Sequence, residues 1–394
     1  MSCLRRLGVL GGTFDPIHEG HLALARQAIE KAGLDQVIFM PMASPAHRDT
    51  EAAANHRFAM CSRAIEGQGE FLLSRAGMDE NNRYTVDTLD ELRREFPDAG
   101  FTFILGADKL PSLPYWHGAD KLFAFCDFLC FPRTGVSTDE TLKKARDAGA
   151  RVQLLPVSGP PYSASLLRAQ LAQRQDPRGL PQGVLWYIAE NGLYQPDWLP
   201  RLREMMNPHR FWHTLGVRSE ALRLAMLHGI PLLSVAAAAL LHDCAKGMPQ
   251  PEMEKIAREN HLLSDESMLS SGAMLHGPVG AYVAKKEFGI RDENILNAIR
   301  SHTIGRPGMN DLELCIFVAD ATEMGREDYP GLHSIRRLAR QSLKAATLYS
   351  LRRTKEYVEK SGRQFFPIAI ETANWLEKSL TPEEIELMER IHQE

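Results

Sequence analysis

Long apolar runs are missing from this chain of 394 residues. Its most apolar stretch, LLSVAAAALLH, has the length of a buried helix and falls short of a bilayer span. The N-terminus, MSCLRRLGVLGG, breaks after a few apolar residues and lacks the shape of a signal peptide. Cysteine is scarce: Cys3, Cys61, Cys126, Cys130, Cys244 and Cys315 are scattered, and only Cys126 and Cys130 lie close. Their setting, FAFCDFLCF, reads as a buried strand and not as a metal clip. A disulfide scaffold is therefore excluded, and a reducing cytoplasm is the expected location. A charge excess of one sign is absent as well. Residues 1–196 carry 21 basic and 23 acidic side chains and the remainder 25 and 27, for a net charge of −4. Such a balance leaves no basic domain for nucleic acid, so a phosphate-bearing ligand must be held by local groups. There is no internal repeat and no low-complexity segment.

What is present divides in two. Up to about residue 195, short apolar strands alternate with amphipathic helices: RRLGVLGG, QVIFMPM, FLLSRAG, FTFILGAD, FAFCDFLCF and VQLLPV against HLALARQAIEKAG, ANHRFAMCSRAIEG and TVDTLDELRREFP. That alternation implies a doubly wound parallel sheet, whose ligands bind at the C-terminal ends of the strands. Beyond Pro196 and Pro200, which bracket a hinge, the pattern is helical throughout. It includes SVAAAALLHDCAKG as one helix and GLHSIRRLARQSLKAATLYSLRRTKEYVEKSG as another. The expected organisation is an α/β domain over 1–196 and an all-α domain over 197–394. Histidine follows the same division, with five before residue 197 and nine after it.

In GVLGGTFDPIHEGHL a strand and a glycine turn run into His18 and His21, at the start of a helix. Glycine lets backbone N–H groups approach a ligand, and a helix N-terminus favours anions. A metal would need a third ligand on that face, which Glu19 does not supply, so phosphate is the better reading. The stretch is neither a Walker loop nor a dinucleotide turn.

GGTFDPIHEGHL resembles the HxGH signature of the nucleotidyltransferase superfamily. PMASPAHR (41–48), RYTVDTL (83–89), FILGADKLPSLPYWHGADKLF (103–123), YSASLLRAQL (162–171) and LPQGVLWYIAENGLY (180–194) follow in an order similar to the bacterial nicotinate-nucleotide adenylyltransferases, over essentially all of residues 5–195. The resemblance implies transfer of AMP from ATP to nicotinate mononucleotide with release of pyrophosphate, a reaction that rests on positioning and charge neutralisation. It implies that His18 and His21 hold the ATP phosphates with Mg²⁺, that Arg168 adds a cationic clamp, and that Gly11, Gly12, Thr13, Phe14, His47, Ser163 and Ser165 line the nucleotide site. Gly106 and Asp108 would meet ribose or adenine, and Thr85 and Trp116 the nicotinate ring. Each has a plainer reading: Ser163 and Ser165 as helix caps, Asp108 as a turn cap, Trp116 as core, Arg168 as a surface ion pair. Arg83 stands where the family carries Ser, and Tyr162-Ser163-Ala164-Ser165 replaces Ile-Ser-Ser-Thr. A different adenylyl- or cytidylyltransferase is the rival for this half. An aminoacyl-tRNA synthetase is excluded by length and by the lack of a Lys-Met-Ser-Lys-Ser loop.

In LLHDCAKG, His242 and Asp243 adjoin inside an apolar helix, where an unpaired carboxylate is costly unless a cation compensates it. With His213 (RFWHTLGV), His276 (LHGPVGA), His302 (RSHTIGRPGM) and Asp320 (FVADATE) they make a nitrogen–oxygen ligand set. Six such ligands without thiolate argue against structural zinc and for a two-metal centre of iron or manganese. His228, His261, His333 and His392 read as packed histidines. This half resembles the HD phosphohydrolases over about residues 205–375. HTIGRPGM and VADATEMGR are similar to the symmetrical diadenosine tetraphosphate hydrolases, with Phe366-Pro367 where that family often has His-Pro. The resemblance implies that His213, His242, Asp243 and Asp320 hold one ion and that His276 and His302 complete the second. Asp243 would be catalytic, Lys246 and Arg306 would bind polyphosphate (or remain solvated charges), and the products would be two ADP. A nucleotide-sensing module with little turnover is the rival. The expected partners are ATP, nicotinate mononucleotide and diadenosine tetraphosphate, with neither nucleic acid nor membrane; a homo-oligomer is compatible.

Overall fold

The computed structural model describes residues 5–43, 49–79, 84–132, 139–155, 162–263, 269, 272–362 and 365–393. The chain divides into two compact units: Met1–Gln173 with Pro177–Ile188, and Arg174–Asp176 with Ala189–Glu394.

The first unit alternates strand and helix: β1 (Arg5–Gly12), α1 (Glu19–Ala32), β2 (Gln36–Pro41), α2 (Ala54–Ile65), β3 (Phe71–Leu73), α3 (Thr85–Glu95), β4 (Ala99–Gly106), α4 (Ala119–Phe125), β5 (Cys126–Phe131), α5 (Asp139–Asp147), β6 (Val152–Leu154), α6 (Ala164–Ala172) and most of α7 (Gln182–Asn191), whose last three residues belong to the second unit. The six strands form one sheet in the order β3-β2-β1-β4-β5-β6, and every described pairing is parallel. Strands covered on both faces become continuous apolar runs, as VIFMP of β2 and FLCF of β5 are here. Strand order reverses between β1 and β4, so the crevice above their C-terminal ends is the place for a ligand. Gly11 and Gly12 end β1 there, and Gly106 ends β4.

The segment after β1 is latched from below. Arg57 is fully buried on α2 and donates to the carbonyls of Thr13 (2.7 Å), Met42 (2.7 Å), Ala43 (2.9 Å) and Ala52 (3.1 Å). The Asp15 carboxylate accepts the N–H groups of Glu51 (2.8 Å) and Ala52 (3.1 Å). Phe14 is buried with φ +49°, a left-handed conformation that a non-glycine residue keeps only where its surroundings enforce it.

The second unit is helical among its described residues. After α8 (Leu199–Met205) come α9 (Pro208–His228), α10 (Leu232–Leu241), α11 (Gln250–Glu259), α12 (Gly272–Glu287), α13 (Glu293–Ser301), α14 (Asp311–Thr322), α15 (Leu332–Ala339), α16 (Leu343–Lys360), α17 (Pro367–Ser379) and α18 (Pro382–Gln393). Helices α9, α10, α13 and α14 pack around an apolar core in which α10 contributes Leu233, Val235 and Leu241. Close approach depends on glycine. A Cβ on Gly277 of α12 would come within 2.6 Å of the Arg300 carbonyl, and one on Gly280 within 3.5 Å of the His242 carbonyl.

Two expectations from sequence are corrected here. The long helix over 331–362 is two, because the Ser342 hydroxyl accepts the N–H of Ala345 (3.0 Å) and starts α16 afresh. His242 and Asp243 do not lie inside a helix: α10 ends at Leu241, His242 is its C-cap, and both residues lie in the turn that follows. The five described cysteines are free and buried, and no described helix is long and apolar enough to cross a membrane.

Replacing Arg57 by Met leaves four carbonyls without their donor in a site sealed from water. The variant is expected to lose at least about 3 kcal/mol of stability, read as a lower urea midpoint; an unchanged midpoint would remove Arg57 from its role as the latch.

Candidate phosphate site and candidate metal centre

In the first unit, His18 is the N-cap of α1 and His21 its third helical residue. Their rings stack at 3.7 Å with an interplanar angle of 27°, and the edge of Phe14 abuts His21 at 5.1 Å. Burial pushes the His18 pKa down to about 4, so the ring is neutral at physiological pH. The His18 N–H donates to His21 Nδ1 at 3.2 Å, which puts the His21 proton on Nε2. The pair therefore offers uncharged N–H donors, the one on His21 in a fixed direction. Fewer backbone donors remain than the glycine turn suggests, because the Glu19 N–H is taken by the Gly179 carbonyl (2.9 Å). The imidazoles carry correspondingly more of any phosphate contact.

The other expected residues fall into three groups. Gly11, Gly12, Thr13 and Phe14 lead from β1 into His18, and Gly106 and Asp108 stand at the end of β4 with Asp108 exposed. Thr85 opens α3, and Trp116 packs partly against the core with its Nε1–H on Ser112 Oγ at 3.2 Å. The flanking Tyr84 and His117 stack at 4.2 Å, a contact absent from the sequence reading. Ser163 caps α6 by accepting the Leu166 N–H (3.3 Å), and Ser165 lies 3.3 Å from its hydroxyl. Arg168 pairs with Glu51 and donates to the Asp15 carbonyl at 2.7 Å. It therefore braces the segment leading to His18. His47 lies outside the described residues, as does Arg83.

In the second unit the six expected ligands come together. His242 ends α10 and donates its Nδ1–H to the Ala239 carbonyl (2.7 Å); His302 ends α13 and donates its Nδ1–H to the Ile299 carbonyl (2.7 Å). His213 of α9 turns Nδ1 to Glu323 Oε1 at 3.2 Å. Each ring is thereby locked with Nε2 facing inward, the arrangement by which outer partners orient metal ligands. His213 Nε2 meets Asp320 Oδ1 at 3.0 Å, and His242 Nε2 lies 3.6 Å from Asp243 Oδ2 and 4.0 Å from Asp320 Oδ1. Asp243 Oδ1 faces His276 Nε2 (3.3 Å) and His302 Nε2 (3.5 Å), which are themselves 3.0 Å apart. Thr303 adds a hydroxyl 3.3 Å from His276 Nε2.

With the Nδ1–H of His242 and of His302 spent on carbonyls, the Nε2 lone pairs of both rings face the Asp243 carboxylate. His242 and Asp243 are fully buried, and His242 Nε2, Asp243 Oδ1 and His276 Nδ1 have no hydrogen-bond partner. Burial lowers the His242 pKa to about 4 and lowers that of His276 as well. Burial alone would raise the Asp243 carboxyl, but the imidazoles of His242, His276 and His302 hold it well below the usual carboxylate range. Burial would likewise lower His213, yet its bonds to Asp320 and Glu323 prevail and raise it. A neutral imidazole lone pair beside an ionised, unpartnered carboxylate oxygen is a cation site, so the donor set fits divalent metal. Two ligand groups stand out, His213–His242–Asp320 and His242–Asp243–His302.

Lys246 binds Asp243 Oδ2 at 3.1 Å, and Arg306 makes a two-pronged pair with buried Glu313 (2.7 and 2.6 Å). Sequence reading missed three residues. Arg210 reaches Asp243 Oδ2 at 2.7 Å; Glu323 orients His213; and Gly216 makes room for Glu323, since a Cβ there would lie 2.5 Å from Oε2. The signal was helical spacing: Arg210 and Gly216 stand three residues either side of His213, and Glu323 three beyond Asp320.

Comparison with known proteins agrees with this division. The cytidylyltransferase-like family model matches residues 9–170 and the HD domain model residues 210–325. A Mycoplasma genitalium protein named "Probable nicotinate-nucleotide adenylyltransferase/Ap4A hydrolase" is 29% identical over 90% of this chain and 99% of its own length. A Halalkalibacterium halodurans protein named "Probable nicotinate-nucleotide adenylyltransferase" is 40% identical over 49% of this chain and 93% of its own. A Bacillus subtilis protein named "Bis(5'-nucleosyl)-tetraphosphatase, symmetrical" is 41% identical over 44% of this chain and 93% of its own.

Titrating the His18 imidazole by NMR is expected to leave it neutral down to about pH 5, with protonation only near pH 4. Titration at the ordinary histidine value would mean that His18 is not buried as described.

Proposed function

This chain belongs to the nicotinate-nucleotide adenylyltransferases through its N-terminal half and to the symmetrical bis(5′-nucleosyl)-tetraphosphatases through its C-terminal half, and from that premise we propose a bifunctional enzyme. Residues 1–196 transfer AMP from ATP to nicotinate mononucleotide, giving deamido-NAD and pyrophosphate. Residues 197–394 hydrolyse diadenosine tetraphosphate to two ADP. Hydrolysis is favoured over a purely sensing role, since the C-terminal relatives carry hydrolase names.

At the first site the work is positioning. Neutral His18 and His21 donate hydrogen bonds to the triphosphate, which strengthen as charge builds on the leaving pyrophosphate. Arg57 and Arg168 keep the segment 13–18 fixed, so these donors need not reorganise during the reaction. Thr85 and Trp116 receive the pyridine ring of the nucleotide acceptor. Mg²⁺ enters with ATP.

At the second site, His213, His242, Asp243 and Asp320 would hold one ion, with His276 and His302 completing a second. Iron or manganese suits this nitrogen–oxygen set. Bound there, the ions supply Lewis acidity and a water acidic enough to attack at neutral pH. The chain's part is orientation: Glu323, Ala239 and Ile299 fix the three ligand rings, and Lys246 faces the phosphates beside Asp243. The observation that carries this half is the buried, unpartnered pair of His242 Nε2 and Asp243 Oδ1.

The two activities should separate by mutation. In the full chain, His18→Ala with His21→Ala is expected to cut adenylyl transfer by at least 10²-fold while hydrolysis persists. Asp243→Ala is expected to abolish formation of ADP from diadenosine tetraphosphate and to spare deamido-NAD synthesis. Chromatography of both product sets checks this; loss of both activities in either variant would contradict two separate sites.

A further inference from the structure

Three carboxylates contact the ligand set in the second unit: Asp243, Asp320 and Glu323. Three cations answer them. Arg210 and Lys246 both reach Asp243 Oδ2, at 2.7 and 3.1 Å, and Arg326 reaches Asp320 Oδ1 at 2.5 Å. Among the described residues the site is thus balanced before any ion binds, and each divalent ion adds its charge in full. Two such ions leave an excess of four positive charges, which suits a ligand bearing several phosphates in a row.

The cations are not equivalent. Lys246 lies three residues from Asp243 in the same turn and suffices to pair with it. Arg210 comes from another element, the first turn of α9, where the Asn207 side chain accepts its backbone N–H at 2.9 Å. It stands one turn before His213 on the same helix face. Its side chain is 26% exposed while the carboxylate it touches is wholly buried, so the guanidinium spans from the ligand set to solvent. Among the described residues only its Nη1 is engaged, which leaves most of a planar fork, shaped for phosphate oxygens, at the mouth of the site.

We propose that Arg210 is a substrate-contacting residue of the hydrolase site, gripping the polyphosphate chain of the dinucleotide beside the metal ligands. Asp243 anchors the guanidinium through one nitrogen, and the remaining donors meet phosphate. The inference rests on the hydrolase reading of the C-terminal half.

The test compares full-length wild type with Arg210→Lys and Arg210→Gln, each loaded with manganese. It reads metal content by elemental analysis and steady-state kinetics with diadenosine tetraphosphate. The expected result for Arg210→Gln is unchanged metal content, a KM raised at least tenfold and a kcat within threefold of wild type. Arg210→Lys, which keeps the charge without the fork, should fall between. Loss of bound metal in both variants, or a fall in kcat at unchanged KM, would show that Arg210 only positions Asp243 and would overturn the proposal while leaving the hydrolase reading intact. Failure of metal-loaded wild type to cleave the dinucleotide would instead sink that reading, and this inference with it.

Discussion

A carboxylate sealed from water is tolerated only where something positive meets it, and Asp243 is sealed completely. One of its oxygens has Arg210 and Lys246; the other faces two imidazole nitrogens and has no donor. Much of the second unit serves that unfinished contact. The ends of α10 and α13 supply His242 and His302, each ring fixed by a carbonyl of its own last turn. Gly277 and Gly280 bring α12 close enough for His276 to reach His302. Gly216 admits Glu323, which orients His213. Without a cation the Nε2 lone pairs of His242 and His302 face the Asp243 carboxylate in a dry interior, and a cation turns those contacts favourable.

The first unit handles phosphate by a different device. Its histidines are stacked; burial keeps His18 from charging, and the His18 backbone N–H on His21 Nδ1 sets the direction of the His21 Nε2–H. Electrostatics is supplied by oriented dipoles at a sheet switch point. Permanent charge in this neighbourhood is spent on architecture: Arg57 ties four carbonyls together, and Arg168 braces Asp15. One chain thus carries a phosphate site of neutral donors and a second site that is incomplete without metal.

Much of this was legible in the sequence because it rests on local periodicity and short spacing. The strand–helix alternation predicts the parallel sheet, the glycine turn before His18 places that residue at a helix start, and the His-Asp pair in an apolar run marks a buried charge. What escaped depends on approach across sequence. Arg210, Glu323 and Gly216 are ordinary residues until α9 packs against α14, and the ion pairs of Arg306 and Arg168 exist only through Glu313 and Glu51. Helix ends were also misjudged. The apolar run over 234–241 continues visually into His242, but the backbone leaves α10 at Leu241, and that departure lets both ligands face the same space. The break before Ser342 is a capping event within an otherwise unbroken amphipathic pattern.

Metal content decides most directly whether the second site is what its unpaired donors imply. Full-length protein purified without oxygen, then assayed by elemental analysis, should contain two divalent ions per chain. His242→Ala should lose them, and the paired change His18→Ala with His21→Ala should keep them. A wild-type chain that stays metal-free after reconstitution with iron or manganese, or one whose metal disappears with His18 and His21, would contradict the division of labour between the two units.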